Sequence, residues 1–107
     1  MANDAFRALA HPLRREIVER LSTRTGTATV GEVTGDLGVS KPTISRHLRT
    51  LEEAGVVSRV IDGRTHRLAL RPEALADAAD WLETQRERWE RLFDVVGDYL
   101  DERKERA

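Results

Sequence analysis

The chain contains no cysteine. It can therefore form no disulfide, offers no thiolate to a metal and has no thiol nucleophile. It also lacks an apolar run approaching the roughly 18 residues that a membrane-spanning helix needs, and a signal-like apolar segment near its start. These absences predict a soluble, cytoplasmic protein with no membrane partner.

Residue patterns typical of catalysis are missing as well. The sequence has no paired nucleophile and base, no glycine-rich phosphate loop and no histidine–carboxylate motif at a useful spacing. Ser45 and His47 are close in sequence but point different ways on a helix. Asp80, Glu83 and Glu87 lie at helical spacing, yet this pattern is more typical of a solvated helix face. We predict no enzymatic activity, no cofactor and no metal site.

Charge is nearly balanced overall but unevenly distributed. The 107 residues, 39% hydrophobic and 35% charged, fit one domain spanning 1–107. Residues 41–71 hold seven Lys or Arg against three acids, a local charge of +4, whereas residues 72–107 hold eleven acids against six bases, a local −5. This division favours a cationic working surface and a separate acidic element over an ordinary scatter of solvated charge.

Proline and turn residues divide the first half of the chain into helices. A short helix is predicted to end at Ala10, and a second to begin at Pro12, because proline suits the first helical turn. Two further helices joined by a tight turn are predicted over 30–54, with Ser40 as the cap of the second. Residues 30–54 therefore form a predicted helix-turn-helix.

The second half is predicted to be a hairpin followed by one long helix. Asp62-Gly63 lies between two β-rich runs, which is a strong hairpin signal, so residues 56–70 are interpreted as a wing. Residues 73–103 then form a predicted dimerisation helix. The element order is ααααββα, a mainly α fold of the α+β kind with winged helix-turn-helix architecture.

The helix that follows Ser40 has an apolar face and a polar face. Ile44, Leu48 and Leu51 fall on one side at 100° per residue. The other side suits DNA, because an Arg46 guanidinium can reach guanine O6 and N7 and short hydroxyls can bind base edges or phosphates. An amphipathic core helix with a solvated basic face is the alternative. The predicted DNA-binding residues, including one at the wing tip, are Ser40, Lys41, Pro42, Thr43, Ser45, Arg46, Arg49 and Arg64.

The histidines and the wing arginines have separate predicted roles. His47 flanks the buried stripe, so contacts within the protein are favoured over DNA reading. His66 alternates with apolar residues and is expected to cover the sheet. Arg64 is expected to enter an adjacent minor groove, with Arg59 and Arg67 on the flanking DNA backbone.

Apolar residues recur along the last helix in steps of three and four. This heptad-like seam has one polar member, Gln85, and a helix of about 30 residues, on the order of 45 Å long, would overhang a small domain. A second copy could bury the seam and place two recognition helices roughly 34 Å apart on a palindrome; the alternative is a helix folded back on its own domain. The predicted dimer-interface residues are Phe6, Leu9, Leu75, Ala78, Leu82, Trp89, Leu92, Val96 and Tyr99.

Three segments resemble winged-helix regulators of the ArsR family. They are AFRALAHPLRREIV at 5–18, VSKPTISRHL at 39–48 and LEEAGVV at 51–57, and the likeness extends through the long final helix. The resemblance implies a homodimeric bacterial or archaeal transcription factor, usually a repressor that leaves its operator on sensing a signal. It implies recognition by Lys41, Pro42, Thr43, Ser45 and Arg46, with Arg64 at the wing.

The sequence departs from the metal-sensing members of that family. Many relatives bind metal through cysteine pairs before the turn, or through histidine and carboxylate on the last helix, and this chain has neither cysteine nor a histidine there. We therefore predict a metal-independent, sequence-specific DNA-binding regulator, a homodimeric repressor on a palindromic operator. The alternative is a winged-helix module that binds a protein or small molecule and has little DNA affinity.

Overall fold

Helices dominate the structure, and a small sheet pairs a strand from the first half of the chain with the hairpin from the second half. The computed structural model describes residues 2–106, and the side chains of residues 3–105. In chain order the described elements are α1 (Ala2–Leu9), α2 (Pro12–Ser22), β1 (Ala28–Thr29), α3 (Val30–Thr34), α4 (Lys41–Glu53), β2 (Val57–Asp62), β3 (Thr65–Leu70) and α5 (Pro72–Arg106).

Strand β1 corrects the predicted order ααααββα to ααβααββα. Ala28 pairs with Leu68 and Thr29 with Arg67, so β1 joins β3 in an antiparallel sheet of order β1-β3-β2. Ala28 and Leu68 are fully buried. The strand was not predicted because it is two residues long, lies in a polar, turn-forming segment, and forms only by pairing with a distant part of the chain.

Helix α3 is a short helix of five residues at the start of the predicted helix-turn-helix over 30–54. It begins with a capping box, in which the Thr29 hydroxyl accepts from the Glu32 amide (3.1 Å) and the Glu32 carboxylate accepts from the Thr29 amide (3.2 Å). It ends at Thr34, with Gly35 as its C-cap. Residues 35–40 then connect α3 to α4, and the φ of +66° at Gly38 is one that glycine adopts without strain.

Helix α4 and the hairpin follow the expected pattern closely. The Ser40 hydroxyl caps α4 by accepting from the Thr43 amide at 3.4 Å, and the helix carries Ile44, Leu48 and Leu51 into the core. Strands β2 and β3 pair antiparallel from the Val57–Leu70 end to the Asp62–Thr65 end. The wing is therefore a regular two-stranded ribbon that starts just beyond the end of α4.

One hydrophobic core holds α1, α2, α3, α4 and the sheet together. Its largest fully buried side chains are Ile17, Leu48, Leu51, Leu68, Val33 and Val56. The start of α5 joins this core through Ala78, which packs in the same cluster as Ala5 and Ala8 of α1. Phe6 and Trp81 extend that contact with an edge-on ring pair whose centroids are 5.5 Å apart.

Beyond this contact α5 projects away from the core. Its 35 residues correspond to about 52 Å of helix. The molecule measures 74 × 26 × 22 Å, and its radius of gyration is 20.4 Å, compared with about 13 Å expected for a compact chain of this length. Across residues 2–106, no helix combines the length and the apolar character needed to cross a membrane.

Candidate nucleic-acid interface

The exposed face of α4 carries most of the predicted DNA-binding side chains. Ser40, Lys41, Pro42, Ser45, Arg46 and Arg49 are exposed, and Thr43 is half-buried. They surround the first two turns of α4, on the side opposite the buried Ile44 and Leu48. Because Pro42 has no amide hydrogen and a fixed φ, it keeps the first turn rigid without leaving a donor unpaired.

The two hydroxyls at the start of α4 are linked to each other. Ser40 Oγ donates to Thr43 Oγ1 at 2.9 Å while it accepts from the Thr43 amide. The Ser40 hydroxyl is therefore used at the helix terminus. Thr43 Oγ1 accepts from Ser40 and keeps its own proton, which it can donate to a phosphate or base acceptor.

The cations of this surface are not neutralised by the protein itself. Among the ion pairs of residues 3–105, none includes Lys41, Arg46, Arg49 or Arg64. Arg64 is exposed at the wing tip, next to Gly63 in the turn. Four uncompensated positive charges on α4 and the wing form a surface suited to a polyanion.

Arg59 and Arg67 both form hydrogen bonds within the protein. Arg59 pairs with both carboxylate oxygens of Glu52, at 2.8 and 3.2 Å, and Arg59 Nη1 lies 3.1 Å from His66 Nδ1. Arg67 Nε donates to Thr27 Oγ1 at 2.8 Å. Arg59 is thus engaged by Glu52 and His66, whereas Arg67 uses only its Nε, and contact of either side chain with the DNA backbone stays a prediction. Since Glu52 belongs to α4, its pair with Arg59 joins the base of the wing to α4.

His47 is bonded internally, as expected from its position beside the buried stripe. Its Nδ1 lies 3.2 Å from Arg14 Nη1, and its ring centroid lies 4.5 Å from that of His11. Burial, together with the nearby His11, Arg14 and Arg46, holds the pKa of His47 below its ordinary value. Nothing in the amino-acid pattern indicates that Arg14 takes part, since an arginine after Pro12 is ordinary on a solvated helix face.

The predicted dimer-interface residues divide into two groups. Leu75, Leu82, Trp89, Leu92, Val96 and Tyr99 are 40% to 68% exposed and form an apolar stripe along α5. Phe6 and Leu9 are half-buried against the core. Ala78 is the exception, because it is only 5% exposed and already packs within its own chain.

Metal ligands are not grouped in the part of the chain that the structure describes. There, no three His, Asp or Glu side chains lie close enough together to hold an ion. His11 and His47 are near each other, but the third basic group of that cluster is the guanidinium of Arg14, which cannot ligate a metal.

Comparison with known proteins defines the class. The family model described as a helix-turn-helix domain matches residues 9–60. The chain is 34% identical over 80 residues to the transcriptional repressor SdpR of Bacillus subtilis. This match covers 75% of this chain and 87% of the relative. These matches, with the geometry of α3, α4 and the wing, identify a winged helix-turn-helix DNA-binding transcriptional regulator.

Solved structures define the family within this class. A crystal structure of an ArsR-family transcriptional regulator, RHA00566, matches with 35% identity and a TM-score of 0.76, covering 82% of this chain and 89% of that one. An ArsR-like regulator from Rhodococcus sp. RHA1 matches with 26% identity and a TM-score of 0.79, over 92% and 89% of the two chains. The chain belongs to the ArsR family, whose members are transcription regulators and not a class of enzyme.

Proposed function

We propose that the chain acts as a homodimeric repressor that reads a palindromic operator through α4 and the wing, without a metal ion. The observation that carries the proposal is the set of uncompensated cations on the exposed face of α4 and at the wing tip. A solvated helix face normally mixes both signs of charge, as the Arg86–Glu83 and Arg86–Glu90 pairs on α5 do. Repression is the activity that the name of the Bacillus relative gives.

Base reading is assigned to the first two turns of α4. Arg46 has a fork of donors that matches guanine O6 and N7, whereas Thr43 and Ser45 present short polar groups to neighbouring edges. Lys41 and the first-turn amides suit a phosphate, which fixes the depth of the helix in the groove. Arg49 and Arg64 add contacts to the phosphate backbone and the adjacent minor groove.

A second copy of the chain is the proposed occupant of the apolar stripe on α5. Six apolar residues of the predicted interface remain at least 40% exposed, and a stripe this long is unusual on a protein that works as a monomer. Pairing through α5 buries the stripe and sets two copies of α4 on one face of the DNA. The operator should then contain two inverted half-sites one helical turn apart, or a multiple of it.

Selection of binding sites from a pool of random DNA duplexes tests the proposal. The enriched sequences should be palindromic, with half-site centres about 10 base pairs or a multiple of this apart. Affinity for the selected duplex should fall steeply with salt, because bound cations displace counterions from the phosphates. A pool without enrichment, or an affinity that does not respond to salt, would contradict DNA reading and favour a protein- or ligand-binding module.

Replacing Arg46 by Ala should abolish most of the sequence preference. Loss of a bidentate guanine contact costs about 1–3 kcal/mol, or roughly 5- to 150-fold in affinity, for the selected duplex and much less for random DNA. Arg91→Ala is the matched control, since Arg91 is also exposed but lies on α5. Competition binding of both variants measures the effect, and equal losses in the two would remove Arg46 from the recognition surface.

Metal removal should leave DNA binding unchanged. The protein dialysed against EDTA is expected to bind the selected duplex with the affinity of the untreated protein, because the described residues form no cluster of metal ligands. Isothermal titration with zinc or nickel should show no tight, stoichiometric site. Tight binding of either ion by the native protein would contradict metal independence.

A further inference from the structure

Arg14 lies where three helices meet. Its Nε donates to the carbonyl of Ala8 at 2.6 Å and its Nη2 to the carbonyl of Arg7 at 3.1 Å, both near the end of α1. Its remaining nitrogen, Nη1, lies 3.2 Å from Nδ1 of His47 in α4. One guanidinium thus joins α2, on which it sits, to the C-terminal carbonyls of α1 and to the recognition helix.

The contact with His47 works with only one form of the imidazole. A guanidinium has five donors and no acceptor, so Nδ1 of His47 must accept, and the ring is neutral with its proton on Nε2. His11 beside it is also an acceptor, because its Nδ1 receives the Leu13 amide at 3.0 Å as the cap of α2. Protonation of His47 would turn its Nδ1 into a donor facing a donor.

We propose that Arg14 is a positioning residue that sets α4 against α1 and α2 through His47, and that DNA binding therefore weakens when His47 becomes protonated. The inference rests on the proposed function, since it concerns the helix that reads DNA. It also links that helix to α1. Since α1 packs against α5, it adjoins the proposed dimer surface. Neither Arg14 nor His47 needs to touch DNA for this to hold.

The charged groups around His47 give the direction of the pH effect. Those nearest to it are His11 and Arg14 from the α1–α2 corner and Arg46 from α4 itself, all cationic or able to become so. Farther along the contact between α1 and α4, Asp4, Arg7 and Glu53 line a shallow cleft.

The effect of pH has a definite sign. Burial and the neighbouring cations lower the pKa of His47 from its ordinary value of 6.5, so the folded protein favours the neutral ring. The stabilising contact is complete above pH 6.5 and is lost as the pH falls from there through the lowered pKa. Affinity for the operator should fall over the same pH range.

Two substitutions of His47 separate positioning from other roles. In His47→Asn the side-chain oxygen can stand in for Nδ1 as an acceptor but cannot be protonated in this range, whereas His47→Leu removes the acceptor. At about pH 7.5 we expect His47→Asn to bind the selected duplex within about threefold of the wild type and His47→Leu to bind at least about tenfold more weakly. A purely apolar packing role would reverse that order.

The pH profile is the readout that a merely structural residue would not change. Between about pH 7.5 and pH 5 the wild type should lose affinity at least about fivefold at constant ionic strength, and His47→Asn should lose no more than about twofold. His66→Asn is the matched control, because His66 also accepts from an arginine but lies on the wing; it should keep the wild-type loss. A flat wild-type profile, or the full loss in His47→Asn, would overturn the proposal.

A measurement on the free protein keeps this inference separate from the proposed function. Nitrogen NMR of the imidazole rings should show His47 with its proton on Nε2 near neutral pH, and a pKa below that of His47 in the urea-unfolded chain. If no duplex is ever bound but these NMR signatures are found, the DNA-binding proposal fails and the contact stands. If the proton is found on Nδ1, the inference fails whatever the protein binds.

Discussion

Arginines in this chain divide by what they touch, although they share one chemistry. Arg14 and Arg59 are bonded to groups of neighbouring elements, whereas Arg46 and Arg64 form no ion pair within the described side chains. The first two therefore join neighbouring elements of the fold, and the second two are the ones we propose for contact with DNA. Losing a positioning arginine should therefore change stability and DNA binding together, and losing an exposed one should change DNA binding alone.

The Glu52–Arg59 pair allows this distinction to be tested at the residue scale. Glu52→Ala should lower the free energy of unfolding by about 1 kcal/mol, because it removes a two-pronged, half-buried ion pair and leaves Arg59 with one partner. Urea unfolding measures this cost. Glu83→Ala, which removes an exposed pair on α5, is the control and should change little. Equal stability of the two variants would mean that the Glu52–Arg59 pair adds nothing measurable to the stability that strand pairing and the burial of Val57 and Leu68 give the wing.

At the scale of single elements, α3 depends on its cap and its packing more than on its own propensity. It has five residues, one of which is Gly31, and Gly35 ends it. The helix therefore relies on the Thr29–Glu32 capping box and on the fully buried Val33. Its short length sets where the connection to α4 begins, and so where the recognition helix starts.

Gly31 within α3 and Gly35 at its C-cap should respond in opposite ways to alanine. A Cβ at Gly31 would meet no atom within 4 Å, so Gly31→Ala should stabilise the protein by about 0.5–1 kcal/mol through helix propensity. A Cβ at Gly35 would lie 2.6 Å from the Gly31 carbonyl oxygen, so Gly35→Ala must displace backbone and should destabilise. Thermal melting of both variants measures the difference. A rise in melting temperature for Gly35→Ala would show that the turn after α3 relaxes at little cost.

Elements with a strong local pattern were the ones predictable from sequence. The period of Ile44, Leu48 and Leu51 and the Ser40 cap define α4 within a residue of its observed end, and Asp62-Gly63 locates the hairpin turn. The winged helix-turn-helix fold and the family are confirmed by the solved relatives. Local signals sufficed there because the same residues set both the periodicity and the buried face.

The features that the sequence does not predict depend on contacts between different elements of the fold. Strand β1 exists only because β3 offers it an edge, and Arg59 turns inward only because the fold brings Glu52 close. Arg14 contacts groups of α1 and α4 that only the fold brings together. Ala78 has the heptad spacing of a dimer seam, but α1 of its own chain covers it first. The spacing of apolar residues within one helix cannot show which neighbouring element will cover them.

At the scale of the whole molecule, the projecting part of α5 is the feature that a single chain leaves unexplained. From Trp89 onward its apolar side chains are exposed, among them Phe93 at 77% and Val95 at 64%, which flank the seam on either side. A two-stranded coiled coil covers mainly the seam positions themselves. The exposed apolar face of α5 is therefore wider than the seam that a two-stranded coiled coil alone would bury.

Adding a charge to this face should separate the two copies. Val96→Glu places a carboxylate in the centre of the seam, where dimerisation would have to bury it unpaired, so light scattering should show a fall from the mass of two chains toward that of one. Operator affinity should then drop by more than about 100-fold, because each half-site is bound alone and the gain from linking the two is lost.

Ala76→Glu adds the same charge to an exposed position of α5 away from the seam and should remain dimeric. Circular dichroism should show the same helix content in both variants, since α5 is held to α1 by Ala78 and Trp81 well before residue 96. A Val96→Glu protein that keeps the mass of two chains would place the dimer contact elsewhere on the molecule, and the stripe would then need a different partner.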